Sequence, residues 1–216
     1  MIVSLWHDRV MNVKPTSSLR EQQAQLTREL ILRAVTELLE GDDPDEISVP
    51  EVAQHAGVSL RTVYRYFRTR DELFAAAGEW IGEQLFGDAP FEQTADELGE
   101  VFKRVCERFD EAPRLVRAMA LSQAGRSVRS HRRARRLASI RNALAEVTDN
   151  LPKQEVREAE AVVFYLESML AWVTMRDEAG LNGKETGEAI AWAIGTLVAD
   201  LRRRNQAAGG NQRRTT

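Results

Sequence analysis

The chain holds one cysteine in 216 residues. Cys106 therefore has no intramolecular disulfide partner, and such usage suits a reducing compartment, so a cytoplasmic protein is expected. No window approaches the roughly 18 uninterrupted apolar residues of a membrane span, and the opening MIVSLWHDRV lacks the apolar run of a signal peptide. No membrane partner is expected. Histidine is scarce and scattered: His7, His55 and His131 form no pair at metal-ligand spacing, and no Gly-rich phosphate loop occurs. Cys106 has no histidine near it in sequence and reads as a core or pocket-lining thiol rather than a nucleophile. Without a poised nucleophile, an acid/base pair or a metal cluster, neither an enzyme nor a cofactor is expected. Strand-like alternation is missing too, which points to an all-α fold. Charge of neither sign dominates. Lys+Arg total 30 against Asp+Glu 33, a net charge of −3, so affinity for a polyanion can come only from a local patch.

That patch lies in residues 48–73, SVPEVAQHAGVSLRTVYRYFRTRDEL. Ser48 followed three residues later by Glu51 forms a capping box, with Pro50 in the first turn, where its missing amide donor costs nothing. The helix that starts there is predicted to pass through Val52, Ala53 and Ala56 and to stop at Gly57, a residue free to turn left-handed. Ser59 caps a second short helix, whose Val63 and Phe67 lie four apart and face the first. The opposite face carries Arg61, Thr62, Arg65 and Arg68 interleaved with Tyr64 and Tyr66, and no acid occurs from Val52 to Arg70. This is a helix-turn-helix with a surface for phosphates and base edges. Ser48, Ser59, Arg61, Thr62, Tyr64, Arg65, Tyr66 and Arg70 are the expected DNA-binding residues. Ser48, Tyr64, Tyr66 and Arg70 would hold phosphates, while Arg61, Thr62 and Arg65 would read the major groove.

The segment AGVSLRTVYRYFRTRDEL resembles the N-terminal signature of the tetracycline-repressor (TetR) family, which reads A-G-V-S-x-G-T-x-Y-x-H-F-x-x-K-x-x-L. Tyr64, Phe67 and Leu73 match outright, and Tyr66 and Arg70 stand at the histidine and lysine positions. Arg61 replaces the usual glycine, placing a guanidinium at the start of the recognition helix and implying a different target sequence.

Around the patch, Leu26, Leu30, Ile31, Ala34, Leu38 and Leu39 recur at helical spacing from about Leu19 to Glu40, ended by the GDDPD loop. Thr69 and Glu72 form a second capping box, opening a helix with Leu73, Phe74, Ala77, Trp80, Ile81 and Leu85 on one stripe. GDAP at 87–90 is the expected boundary. Beyond it, Leu98, Val101, Phe102, Val105 and Phe109 share a face, a short piece spans Pro113–Gln123, and a helix over Ser130–Thr148 turns Leu137, Ile140, Leu144 and Val147 inward. Glu155–Glu178 is apolar on almost its whole circumference and must bury two faces. The last helix, Thr186–Arg204, aligns Ala189, Ile190, Ala193, Ile194, Leu197 and Leu201, small enough in part for close approach to a second copy. The expected organisation is a flexible arm (1–18), a three-helix helix-turn-helix head (19–87), a C-terminal helical ligand-binding and dimerisation bundle (88–205) and a flexible tail (206–216).

The TetR resemblance implies that the last two helices pair with those of a second subunit, which the apolar content supports independently. It also implies a ligand cavity, for which Phe102, Cys106, Phe109, Met119, Phe164, Tyr165, Met169, Trp172 and Met175 are candidates, suited to a small apolar or aromatic effector. The run GRSVRSHRRARRLASIR carries seven arginines and no acid. Its two readings are a helix face paired to neighbouring acids, the more favoured, and a site for an anionic ligand or DNA phosphate. The expected function is a regulator that binds a palindromic double-stranded DNA operator as a homodimer and is released by an effector. A helical protein-interaction adaptor and a constitutive regulator without an effector are the alternatives.

Overall fold

A computed structural model describes residues 19–87 and 94–212, and every regular element among them is helical. In chain order these are α1 (Leu19–Leu39), α2 (Val49–His55), α3 (Leu60–Tyr66), α4 (Arg70–Phe86), α5 (Leu98–Phe109), α6 (Pro113–Leu121), α7 (Gln123–Leu144), α8 (Lys153–Leu166), α9 (Met169–Ala179) and α10 (Gly183–Gln212). A 3-10 turn, Ala145–Val147, follows α7. The arm expected at 1–18, most of the GDAP boundary and residues 213–216 lie outside the described residues.

Two compact units result. The first combines the N-terminal residues up to Gly82 with Glu111–Ser130; the second combines Glu83–Asp110 with His131 onward. Residues 111–130, grouped by the sequence reading with the C-terminal module, thus fold with the head. The acidic loop after α1 explains this. Asp45 accepts the Gln123 amide at 3.1 Å at the start of α7, and Asp42 pairs with Arg114 at 3.3 Å. At Gly78 an added Cβ would lie 2.5 Å from the Val128 carbonyl oxygen, so α4 and α7 touch at backbone distance. The stripe of α1 also differs from expectation. Ile31, Leu32, Val35 and Leu39 are fully buried, whereas Leu26 and Leu30 are exposed, because at 100° per residue they lie on the opposite side.

The second unit is built on an antiparallel crossing of α5 and α10. A Cβ on Gly99 would stand 2.8 Å from Ala191 Cα, one on Gly187 2.9 Å from Lys103 Cα, and one on Gly183 2.3 Å from the Cys106 carbonyl oxygen. The small residues of α10 therefore serve contact within the chain, and Ile190, Ile194, Val198 and Leu201 fill the interface below them. Ala189, Ala193 and Leu197, expected to face a second copy, are only half-buried flanks of this stripe. Gly99→Val is expected to force the two helices apart at a cost of about 1–3 kcal/mol. Thermal denaturation checks it; an unchanged Tm would mean the crossing yields freely.

Two further expectations are corrected. Glu155–Glu178 is not one helix, because the chain breaks at Glu167 and Ser168 caps α9, its Oγ accepting the Ala171 amide at 3.1 Å. Nor does the last helix end at Arg204. α10 continues to Gln212, held where Asn205 accepts the Asn150 amide at 2.6 Å and donates to the Glu146 carbonyl at 3.3 Å.

Candidate nucleic-acid interface and C-terminal aromatic cluster

The helix-turn-helix forms as its capping residues dictate. Ser48 Oγ accepts the Glu51 amide at 3.3 Å, and the Glu51 carboxylate accepts the Ser48 amide at 2.8 Å. The Ser48 hydroxyl also donates to that carboxylate at 2.6 Å, and this bond first, then the one from the Ser48 amide, holds the Glu51 carboxyl below its ordinary range. After α2, Gly57 adopts φ +65°, and the Val58 amide donates to the Ala53 carbonyl at 3.0 Å, closing the turn. Ser59 Oγ then accepts the Thr62 amide at 3.1 Å and lies 2.8 Å from Thr62 Oγ1. Val63 and Phe67 are both buried, and Arg28 of α1 lies 5.6 Å over the Phe67 ring.

The outward side of α3 divides into free and engaged groups. Arg61 is exposed, and Tyr64 keeps 45% of its surface open. Arg65 is exposed and stands 5.2 Å over the half-buried Tyr66 ring. Arg70, expected at a phosphate, is exposed and also has contacts within the head. Its guanidinium sits 4.0 Å above the Phe74 ring and donates to the Ile47 carbonyl at 3.4 Å, so it ties α4 to the start of α2. The Thr69 capping box is shifted by one residue: Thr69 Oγ1 accepts the Glu72 amide, but Glu72 accepts the Arg68 amide at 2.7 Å. The Arg68 side chain remains exposed.

In the second unit, Phe109 is the hub of an aromatic cluster. Its ring meets those of Phe86, Phe102 and Trp172 edge to face, at 5.8, 6.0 and 5.8 Å. Phe86 had no place in the expected set, because periodicity marks it only as the end of α4. Cys106 is buried between Phe102 and Phe109 on α5; burial first, then the charges of Asp110, Glu167 and Glu107, push its thiol up to about 12, so it is inert at neutral pH. Met169 is buried, Met175 half-buried, and Phe164 half-buried beneath Arg136. Tyr165 points out of the unit, 48% exposed, because it lies across α8 from the inward Val163. Met119 belongs to the first unit, where its carbonyl accepts from Arg129 Nε at 2.5 Å.

Three arginines of the basic run cap helices. Arg126 donates to the Leu121 carbonyl, and Arg129 to those of Met119 and Ala120, at the end of α6. Arg136 does the same at the end of α8, donating to Phe164 at 3.3 Å and Glu167 at 2.6 Å. Arg141 pairs with Glu160 at 3.2 Å. Guanidiniums at helix C-termini satisfy carbonyls that no later amide reaches. The pairing of Arg141 with Glu160 is the kind of acid pairing that the sequence suggested.

Glu167 is the feature that sequence reading missed. The residue as a whole is half-buried, but Oε1 is sealed from solvent and has no hydrogen-bond partner among the described residues. Burial pushes its carboxyl up to about 8, against a smaller opposing pull from Arg136. The folded state therefore keeps a proton that the unfolded chain releases near 4.5. Stability contributed by this group is complete below that value and is lost as pH rises toward about 8. A Tm that falls from pH 5 to pH 8, and falls less steeply in Glu167→Gln, is the expected result; identical slopes would refute it.

The bacterial regulatory proteins of the tetR family supply a family model that matches residues 31–77. No curated relative is matched by sequence alone. Among solved structures, the chain is similar to NalD, the secondary repressor of the MexAB-OprM multidrug efflux pump in Pseudomonas aeruginosa. Identity is 17%, over 81% of this chain and 96% of that one, with a TM-score of 0.58. It is also similar to the transcriptional regulator FadR of Bacillus subtilis solved with stearoyl-CoA (18% identity, 77% and 96% covered, TM-score 0.57) and to a transcriptional regulator from Rhodococcus sp. Rha1 (22%, 80% and 96%, 0.54). At such identities the shared property is the fold, and the family resemblance rests on the head, where residues 31–77 match the bacterial regulatory proteins of the tetR family.

Proposed function

We propose that this protein is a cytoplasmic repressor that binds a palindromic operator as a homodimer and leaves it when a small apolar or aromatic effector enters the C-terminal unit. The outward face of α3 carries the reading. Arg61, Tyr64, Arg65 and Arg68 stand exposed there without an acid among them, the arrangement a recognition helix needs to meet phosphates and base edges. Arg61, Thr62 and Arg65 read bases, and Ser48, Ser59, Tyr64 and Tyr66 position the backbone. Arg70 contributes chiefly by fixing α2 against α4. The aromatic cluster around Phe109 supports an effector site, with Phe102, Cys106, Phe164, Met169, Trp172 and Met175 as its candidate walls. A neighbour in fold, the repressor NalD, is named for control of a multidrug efflux pump, and another was solved with stearoyl-CoA, so both terms of the proposal have precedent in structure.

Footprinting on the promoter region of the protein's own gene tests the proposal. A protected palindrome, released by apolar or aromatic compounds that also quench tryptophan fluorescence with the same midpoint, is the expected result. Protection that no bound compound relieves would leave a constitutive regulator. No protection anywhere would leave a helical interaction protein.

A further inference from the structure

Among the buried polar atoms of the C-terminal unit that make no hydrogen bond to the described residues are Glu167 Oε1, at the break between α8 and α9, and Trp172 Nε1, one turn into α9. An unpaired carboxyl in a dry site is costly, and a fold keeps one mainly where something else completes it. The surroundings indicate what that is. The guanidinium that acts on it, Arg136, is engaged with the Phe164 and Glu167 carbonyls and stacked 4.4 Å over the Phe164 ring. On the α5 side stands the Cys106 thiol, which feels the negative charges of Asp110, Glu167 and Glu107 together. Asp110 is neutralised by Arg176 at 2.5 Å and by the Gly183 amide at 2.6 Å, and Glu107 is exposed. Glu167 is thus the buried acid with an unmet need, and the rings of Phe102, Phe109 and Trp172 occupy the same unit.

We infer that the effector is an apolar aromatic amine, its ammonium pairing with the Glu167 carboxylate and its ring lying among Phe102, Phe109 and Trp172. A cation donates to the unpartnered Oε1 and adds counter-charge beyond the weaker pull of Arg136, and aromatic faces attract the same cation. The indole Nε1–H of Trp172 can in addition donate to an acceptor on the ligand. Binding is linked to a proton. The carboxyl, held protonated by burial in the free protein, ionises when the ammonium arrives, so close to one proton is released at pH 7. Of the groups around it, Arg136 on α7 pulls the carboxyl the other way, and the Cys106 thiol on α5, pushed up to about 12, stays protonated at that pH.

The inference rests on the proposed effector site, and one experiment separates the two. Calorimetry on the full chain is run with three probes sharing one ring system: 1-(aminomethyl)naphthalene, neutral 1-ethylnaphthalene and anionic 1-naphthylacetate. The amine is expected to bind at least about tenfold tighter than the neutral probe, and the anion weakest, in line with the gain from a charged hydrogen bond. Glu167→Gln is expected to erase the margin between amine and neutral probe while leaving the neutral probe's affinity in place, which also verifies that the variant is folded. Titration in buffers of different ionisation enthalpy is expected to show the proton release, and its loss in Glu167→Gln. If the neutral probe binds as well as the amine, or the anion binds best, the amine assignment is overturned while the effector site stands. If none of the three binds, both fall.

Discussion

Trp192→Glu is expected to give a monomer that no longer holds its operator. Trp192 is 75% exposed on α10, the largest apolar side chain so open in the described residues, and Gly195 one turn on meets no heavy atom within 4 Å. Ala199 continues this face, and on α8 the exposed Ala161, Val162 and Tyr165 add to it. Exposed apolar side chains on the two helices expected to pair with a second subunit point to the contact. Buried tryptophans in such interfaces account for at least about 2 kcal/mol each, and an unpaired carboxylate in their place adds a penalty of about 3–5 kcal/mol. Together these raise the dimer dissociation constant by about three orders of magnitude or more. A palindrome read by one head loses the other half of its contacts, so operator affinity falls with assembly. Light scattering and a mobility-shift titration check both effects. Because Trp192 makes little contact inside its own subunit, the variant is expected to keep its helical circular dichroism spectrum. A dimer of Trp192→Glu that binds operator normally would place the interface elsewhere.

The same residue shows where the sequence was legible and where it was not. Periodicity identified one apolar stripe on α10, but it cannot say whether that stripe meets the chain's own α5 or a partner. Glycine decides that here. Gly183 and Gly187 let α10 settle onto α5, so the stripe through Ile190, Ile194 and Leu201 turns inward and Trp192 is left outside. Ala193, named by its spacing as the contact with a second copy, becomes a flank. In α1 the reading merged two sides of one helix, and the exposure of Leu26 and Leu30 sorts them.

The head was more legible because its signals are local. A capping serine, a left-handed glycine and a second capping serine each fix one backbone feature within three or four residues, and all three stand as the sequence requires. Side-chain alliances across the chain carry no such signature. Nothing near Arg70 announces that it will lie over Phe74, nor does Glu167 show that it will be buried without a partner. The arginines of α7 illustrate the same limit: their charge was visible, but their service to the ends of α6 and α8 depends on how distant helices end.

The combined variant Arg61→Ala, Arg65→Ala is expected to remove operator selectivity while leaving the protein folded and dimeric. Both side chains leave α3 on its exposed side, and neither is used to hold the head together apart from the contact of Arg65 with Tyr66. Arg61 stands one residue into α3, directly after Leu60, and the N-terminal part of a recognition helix is what reaches base edges. A bidentate arginine discriminates its base pair by about 1–3 kcal/mol, so the pair sets a loss of about 2–6 kcal/mol against the correct site if the two act separately. Non-specific binding draws on phosphates and falls much less, by about one counterion per lost contact in the salt dependence. The two affinities should therefore converge. Competition between the operator and a scrambled duplex of equal length, at several salt concentrations, measures this directly. The contrasting variant is Arg70→Ala, which is expected to lower the Tm of the head and to weaken both duplexes alike, because its guanidinium stabilises the seat of α2 on α4. If the double variant retains its preference for the operator, α3 is not the reading helix, and the exposed arginines serve only to hold the phosphate backbone.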